Sequence, residues 1–399
     1  MNKLIEIYTK FKLRLAIILL FPLFWFGIKA GWNNADSDFP NYYVSAQLLK
    51  NKILHKAYDV NFFNQEIQTY NSNASGLFVM YPPTTAILAL PLTSFDLLMA
   101  KRIWMIISLC AAFGIIVLLQ KILNIDKVDA ANLILICGFN LYNDLMLGQV
   151  YVVMIFLILA GYFCMIKENY FNAGILWGVV AAIKFLPLFF IPFLLYQKYH
   201  KVTLGLILSF VLIHIFTFNC SGKMAYISFI EVFTNNYING QVANEIATSI
   251  QYQSVEAFTN LAIQFHQWPI WLASLLKLAW KILWICLAII TCIKYIKSSH
   301  FLSISLASII LLLLLFENGS ASYHLLFSLF ALVIFINLKT ESAFRISLLL
   351  TFAAMGFIPV LVQFLNDQNL ILHFSRLWCL SLFAVLFFIG LLKQSNFTK

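Results

Sequence analysis

Apolar runs separated by short polar breaks recur from residue 13 to residue 392. Most are apolar on every face rather than along one stripe, which marks helices surrounded by hydrocarbon or by other apolar helices. They predict spans near 13–30, 83–98, 102–119, 131–147, 150–166, 172–195, 202–219, 271–293, 301–316, 323–338, 346–364 and 374–392. The expected fold class is an all-α polytopic membrane protein, a bundle of about 11–12 transmembrane helices at roughly 20 residues per span. Two runs are irregular. "NLYNDL" interrupts 131–147, and Lys184 and Pro187 sit inside 172–195. The second predicts a helix rising through 184 and a return from 186. Such a broken pair is stable only where it lines a protein or water-filled cavity.

Two polar stretches, 31–81 and 220–268, are too long to be hairpins and predict helical layers outside the membrane. In the first, Tyr42, Ala46 and Leu49 fall at helical spacing and predict an amphipathic helix in the interface. Trp32, Tyr42 and Tyr43 suit an interfacial aromatic belt. Shorter polar loops follow at 317–324 and 365–369. With no repeats or low-complexity linkers, residues 1–399 read as a single integral membrane domain.

Composition agrees, with 62% hydrophobic and 11% charged residues against about 25% charged in soluble domains. The net charge of +10 reads as topology rather than as nucleic-acid binding. Lys3, Lys10, Lys12 and Arg14 precede the first run and predict a cytoplasmic N-terminus. By the same rule Lys101/Arg102, Lys167, Lys198/Lys201, Lys294/Lys297, Lys339/Arg345 and Lys393/Lys399 are expected on that side. No small-residue cleavage site follows the first run, so it is expected to be retained. The seven cysteines lie almost entirely in apolar runs without a CxxC spacing, so no disulfide framework or zinc site is expected.

Against this background the ionisable residues are conspicuous. Asp36 and Asp38 fall where the first apolar run ends. Either could simply cap the next helix. Alternatively, one carboxylate faces a cavity as a general base, with burial raising its pKa. Lys184 buries one charge in "GILWGVVAAIKFLPLFFIPF", where it either snorkels to the interface or binds an anion. Tyr81-Pro82-Pro83 reads as a helix start, since proline loses nothing in a first turn. His324 begins a run after "ENGSASYH", with Glu317 across the loop as its partner, and Arg376 stands at the outer end of the last run.

Several segments occur in a familiar order: "DSDFPNYYVSAQLLKNKILHKAYD", "YPPTTAILALPL", "LMLGQVYVVMIFLILAGYF" and "FNAGILWGVVAAIKFLPLFFIPFLL". With "YQSVEAFTNL" and "SASYHLLF" they resemble glycosyltransferase family 87, polyprenol-phosphate-mannose-dependent mannosyltransferases of the GT-C superfamily, over residues 35 to about 330. The resemblance implies a GT-C-type bundle with 31–81 as the first extracytoplasmic catalytic loop and 220–268 as the second long loop. It implies transfer of a hexose, mannose by family, from a polyprenyl-phosphate donor to a lipid- or glycan-linked acceptor, with inversion. The family's catalytic Asp matches Asp38, directly before Phe-x-x-Tyr-Tyr, with Asp36 two residues ahead as the alternative. Lys184, His324 and Arg376 become donor phosphate ligands. Tyr42, Tyr81, Asn143, Asp144, Gln149, Gln253 and Ser254 become sugar or acceptor contacts. No cofactor or metal is expected, because the phosphate already leaves as an anion. The bilayer and the two lipid- or glycan-borne substrates are the expected partners, and nucleic acid is not one. The expected location is a bacterial inner membrane, with both termini cytoplasmic and the site extracytoplasmic. Two other readings compete: a surface-polysaccharide polymerase or ligase using polyprenyl-linked sugars, and a lipid or solute transporter. Acids in a large first loop favour the transferase over the polymerase. The lack of similarity between halves disfavours the transporter.

Overall fold

The structure, a computed structural model, describes residues 2–35, 37–238, 248–249, 251–338, 340–364 and 369–394. Side chains are described from residue 11 onward within these limits, except at 236–238 and 363–364. The described residues form helices, 3-10 turns and π-helical turns, with no strand among them. Six helices are long and apolar enough to cross a membrane: Phe11–Trp32, Leu97–Leu123, His200–Ser221, Ile270–Tyr295, Ser342–Val362 and Ser375–Lys393. Lys127–Leu135 and Phe139–Leu147 form a pair bent by 74°, a broken seventh span or a re-entrant loop. Shorter apolar helices at Tyr151–Ile166, Tyr170–Ile183, Leu186–Tyr196, Phe301–Phe316 and Ser322–Asn337 occupy most of the remaining expected spans. The protein is an integral membrane protein of the all-α polytopic class.

The chain divides into two compact units. One comprises Met1–Leu23, Ile115–Leu141 and Asn244–Lys399; the other comprises Phe24–Gly114 and Tyr142–Ala243. In the first unit, helix Ser342–Phe364 packs along Ser375–Lys393. Phe335 meets Phe387 with centroids 5.7 Å apart, and both are fully buried. Lys294 caps the last helix by donating to the carbonyls of Leu391, Leu392 and Gln394.

The second unit is built on a close helix pair. Tyr170–Ile183 lies against His200–Ser221 with Gly174 and Gly178 facing the Val202 and Leu206 carbonyls. A Cβ at either glycine would collide with backbone. Between apolar helices in lipid, packing of this kind replaces the hydrophobic effect as the source of attraction. The lipid-facing side of His200–Ser221 shows Leu204, Leu208, Leu212 and Ile215, all exposed and three or four residues apart. As the broken run 172–195 predicts, the helix ends at Ile183 and a 3-10 turn, Leu186–Phe190, leads into Ile191–Tyr196. The return is complete, because the Tyr199 ring lies 5.4 Å from that of Tyr170.

Three expectations are overturned. Residues 83–98 are not a span. They form two 3-10 turns, Pro83–Ile87 and Leu90–Ser94, and the next helix begins at Leu97. Pro82, Pro83 and Pro91 each remove a backbone donor, and Tyr43 and Gln47 hydrogen-bond the carbonyls of Phe95 and Thr93. Second, helix Phe39–Lys50 does not lie exposed in the interface; ten of its residues are buried. The turns at 83–94 cover it on one side, and Leu54–Tyr58 with Val60–Tyr70 cover it on another. Third, Lys101 and Arg102 do not share an end with Lys12 and Arg14. Lys101 donates to the Asn34 carbonyl at 2.5 Å, and Arg102 donates to that of Trp32 at 3.0 Å. These carbonyls follow the far end of the first span, where C-terminal helix carbonyls lack intrahelical partners and attract cations.

Candidate active site

The site residues of the second unit converge on the break between helices Phe139–Leu147 and Tyr151–Ile166. Gly148 makes this break, with φ +71°. A Cβ there would lie 2.8 Å from Cβ of Phe39, so only glycine allows both the left-handed backbone and the approach of the next segment. Docking Phe39 on Gly148 brings its neighbour Asp38 to Gln149.

Asp38 holds the N-cap position of Phe39–Lys50, but its side chain makes no capping hydrogen bond. Two other aspartates do cap helices. Asp59 accepts from the backbone N–H of Asn61 and Phe62, and Asp126 from Val128 and Asp129. Asp38 instead accepts from Gln149 Nε2 at 2.6 Å through Oδ2. Burial raises its pKa above the ordinary carboxylate value; the Gln149 hydrogen bond and the nearby Lys101 ammonium oppose that shift. Lys101 itself has no exposed surface. Asp36 lies outside the described residues.

Tyr42, buried, donates from its hydroxyl to Gln149 Oε1 at 2.6 Å. Its ring meets that of Tyr81 edge-on at 5.6 Å. Tyr81 is held through its carbonyl, which accepts from the Tyr58 hydroxyl at 3.0 Å. Trp104 closes the far side, donating its indole N–H to the Gln149 carbonyl at 3.1 Å.

Lys184 follows the last residue of Tyr170–Ile183 and takes an extended conformation, which turns it out of the helix. Its Nζ donates to the Tyr151 hydroxyl at 2.9 Å. Tyr151 lies two residues beyond Gln149, so one short segment holds both the carboxylate and the ammonium. Asp144 locks this segment. Its Oδ1 accepts from Tyr151 N–H, and its backbone carbonyl accepts from Gln149 N–H. The Asp144 carboxylate is completely buried, and its Oδ1 satisfies the first N–H of Tyr151–Ile166. Asn143, half-buried, precedes it on the same helix.

An apolar pocket of about 280 Å3 adjoins this end of the broken pair. Thr84, Ile87, Val179, Ile183, Leu212 and Phe216 are among its lining residues. The Thr84 hydroxyl donates to the Ala182 carbonyl, which anchors the 83–87 turn beside Lys184.

The remaining expected residues belong to the first unit. His324 Nδ1 lies 2.9 Å from Glu317 Oε2, the pairing expected across that loop. Gln253 Oε1 accepts from Arg376 N–H at 2.8 Å, and the Ser254 hydroxyl caps Val255–His266 through Ala257 N–H. Sequence reasoning missed Lys101 and Trp104. Charge counting places Lys101 with the cytoplasmic cations, and Trp104 looks like one more aromatic in an apolar run.

The second unit thus holds a partly desolvated carboxylate and a lysine turned out of a broken helix beside one short segment of an integral membrane helix bundle. The family model for glycosyltransferase family 87 matches residues 78–317, more than half of the chain, and the chain belongs to that family, within the GT-C superfamily. No curated protein and no solved structure matches.

Proposed function

We propose that this glycosyltransferase takes a hexose, mannose by family, from a polyprenyl-phosphate donor and delivers it with inversion to a hydroxyl of a lipid- or glycan-linked acceptor. Asp38 is the general base. As the acceptor oxygen bonds to the anomeric carbon, its proton passes to the Asp38 carboxylate, the glycosidic C–O bond breaks, and the polyprenyl phosphate leaves with the bonding pair. Lys184 neutralises the leaving phosphate, a role in which a preplaced cation is worth most inside a low-dielectric site. The apolar pocket beside Thr84 and Ile183 suits the first isoprene units of the donor. No metal is invoked. The reaction takes place on the extracytoplasmic face, and residues 31–81 supply the base and its supporting layer.

One observation carries this reading: Asp38 stands at a helix N-cap yet leaves the cap unmade, and points to the segment that also holds Lys184. The test is transfer from radiolabelled polyprenyl-phosphate mannose to a panel of membrane glycolipids and glycans. Asp38→Asn is expected to lower turnover by about 100-fold or more while donor binding persists. Lys184→Ala is expected to weaken donor binding as well as turnover. Asp38→Asn with wild-type turnover would sink the assignment. His324, Arg376, Gln253 and Ser254 are proposed as further phosphate or acceptor ligands, each tested by its alanine variant in the same assay.

A further inference from the structure

Gln149 is engaged on every side. Its Oε1 accepts from Tyr42, its Nε2 donates to Asp38, its backbone N–H donates to Asp144, and its carbonyl accepts from Trp104. It is 1% exposed. The orientation of the amide follows from chemistry. An ionised carboxylate only accepts, so the NH2 group must face Asp38. The amide oxygen then needs a donor, and the Tyr42 hydroxyl supplies one.

We propose that Gln149 is a positioning residue for glycosyl transfer: locked by Tyr42, it fixes the orientation of the Asp38 carboxylate, leaving Oδ1 for the acceptor hydroxyl. The inference rests on Asp38 acting as the base. Oδ2 is held at 2.6 Å, whereas Oδ1 accepts no hydrogen bond from any described residue. A single N–H on one oxygen both sets the side-chain rotamer and opposes desolvation, as two or three backbone N–H groups do for ordinary low-pKa carboxylates. Helix capping would serve neither end. It would turn the carboxylate back onto its own backbone, as it does at Asp59 and Asp126. A sugar ligand would need an amide facing a cavity, whereas Gln149 is 1% exposed with its oxygen and one N–H already engaged.

The test compares wild type with Gln149→Met, which keeps length and apolar bulk but loses the amide, and with Tyr42→Phe, which leaves the amide in place but unlocked. Turnover of radiolabelled polyprenyl-phosphate mannose is followed against pH. In parallel, infrared titration of purified protein without substrate follows the Asp38 carboxyl band, identified by its loss in Asp38→Asn. Gln149→Met is expected to move both the acid limb of turnover and the Asp38 titration upward by about one pH unit, so turnover falls roughly tenfold below the limb and recovers above it. Tyr42→Phe is expected to move both in the same direction by less. An unmoved carboxyl titration, or turnover reduced equally at every pH, overturns the positioning role. If Gln149→Met fails to fold, Tyr42→Phe decides by the same two readouts. Wild-type turnover in Asp38→Asn removes the base assignment itself, a result distinct from an unmoved titration in the Gln149 variant.

Discussion

Three aspartates at N-cap positions behave differently, and the difference is measurable. Asp59 and Asp126 satisfy helix N–H groups, so Asp59→Ala is expected to cost about 1 kcal/mol of stability. Asp38→Asn removes no cap, relieves a desolvated charge and keeps an amide oxygen to accept from the buried Gln149 N–H, so thermal unfolding is expected to show no loss. The pH dependence has a definite sign. Burial raises the folded pKa of Asp38 above its unfolded value, so the folded state binds the proton more tightly. This group's contribution to stability is therefore full below the unfolded pKa and declines as pH rises through the raised one, and Asp38→Asn abolishes that slope. Turnover runs the opposite way, rising as the base ionises. A protein whose stability and activity diverge across this window, and cease to do so in the Asn variant, carries its base at Asp38. The residue itself is conspicuous in the sequence, because acids are rare in a chain that is 11% charged. Its partner is not: Gln149 lies 111 positions away, and no local pattern joins the two.

At the level of elements, the sequence shows hydropathy well and backbone donors poorly. Residues 83–98 are apolar enough to suggest a span, but two prolines and two 3-10 turns leave a path too short for a bilayer of about 30 Å. The broken run 172–195 is legible because Lys184 and Pro187 interrupt it visibly. Helix Phe39–Lys50 shows a correct helical spacing, yet the elements that bury its remaining faces come from elsewhere in the sequence. The glycine contacts give this scale its prediction. Gly178→Val would drive a branched side chain into the Leu206 carbonyl and separate two helices that approach at backbone distance. It is expected to destabilise the second unit by about 1–3 kcal/mol, read as a lower detergent-resistant melting temperature. Gly148→Ala adds left-handed strain to a clash with Phe39 and is expected to displace Asp38, so turnover should fall further than stability does.

For the whole molecule, moving residues 83–94 out of the membrane changes the parity of the path. The chain leaves the first span at Trp32 and stays on one side until Leu97, where Lys101 and Arg102 still bind the carbonyls at that span's end. Leu97–Leu123 then returns. The bent pair through Leu147 goes out, Tyr151–Ile166 comes back, and the broken run around Lys184 rises and returns without a net crossing. If the four long helices from His200 to Lys393 and the shorter Phe301–Phe316 and Ser322–Asn337 each cross once, they add three further round trips. Residues 11 and 393 are therefore expected on the same side, with residues 33–95 on the other. By the charges near residue 11, that first side is expected to be the cytoplasm. Reporter fusions check this directly. Enzymes active only outside the cytoplasm should work when inserted near residue 72 and fail when joined after residue 393. Single cysteines replacing Lys50 and Lys198 should react with a membrane-impermeant thiol reagent from opposite faces. Labelling of both from one face would mean either that the bent pair 127–147 is re-entrant or that residues 83–98 cross. In the second case Asp38 and Lys101 would no longer share a surface, and the proposed base would lose its neighbouring cation.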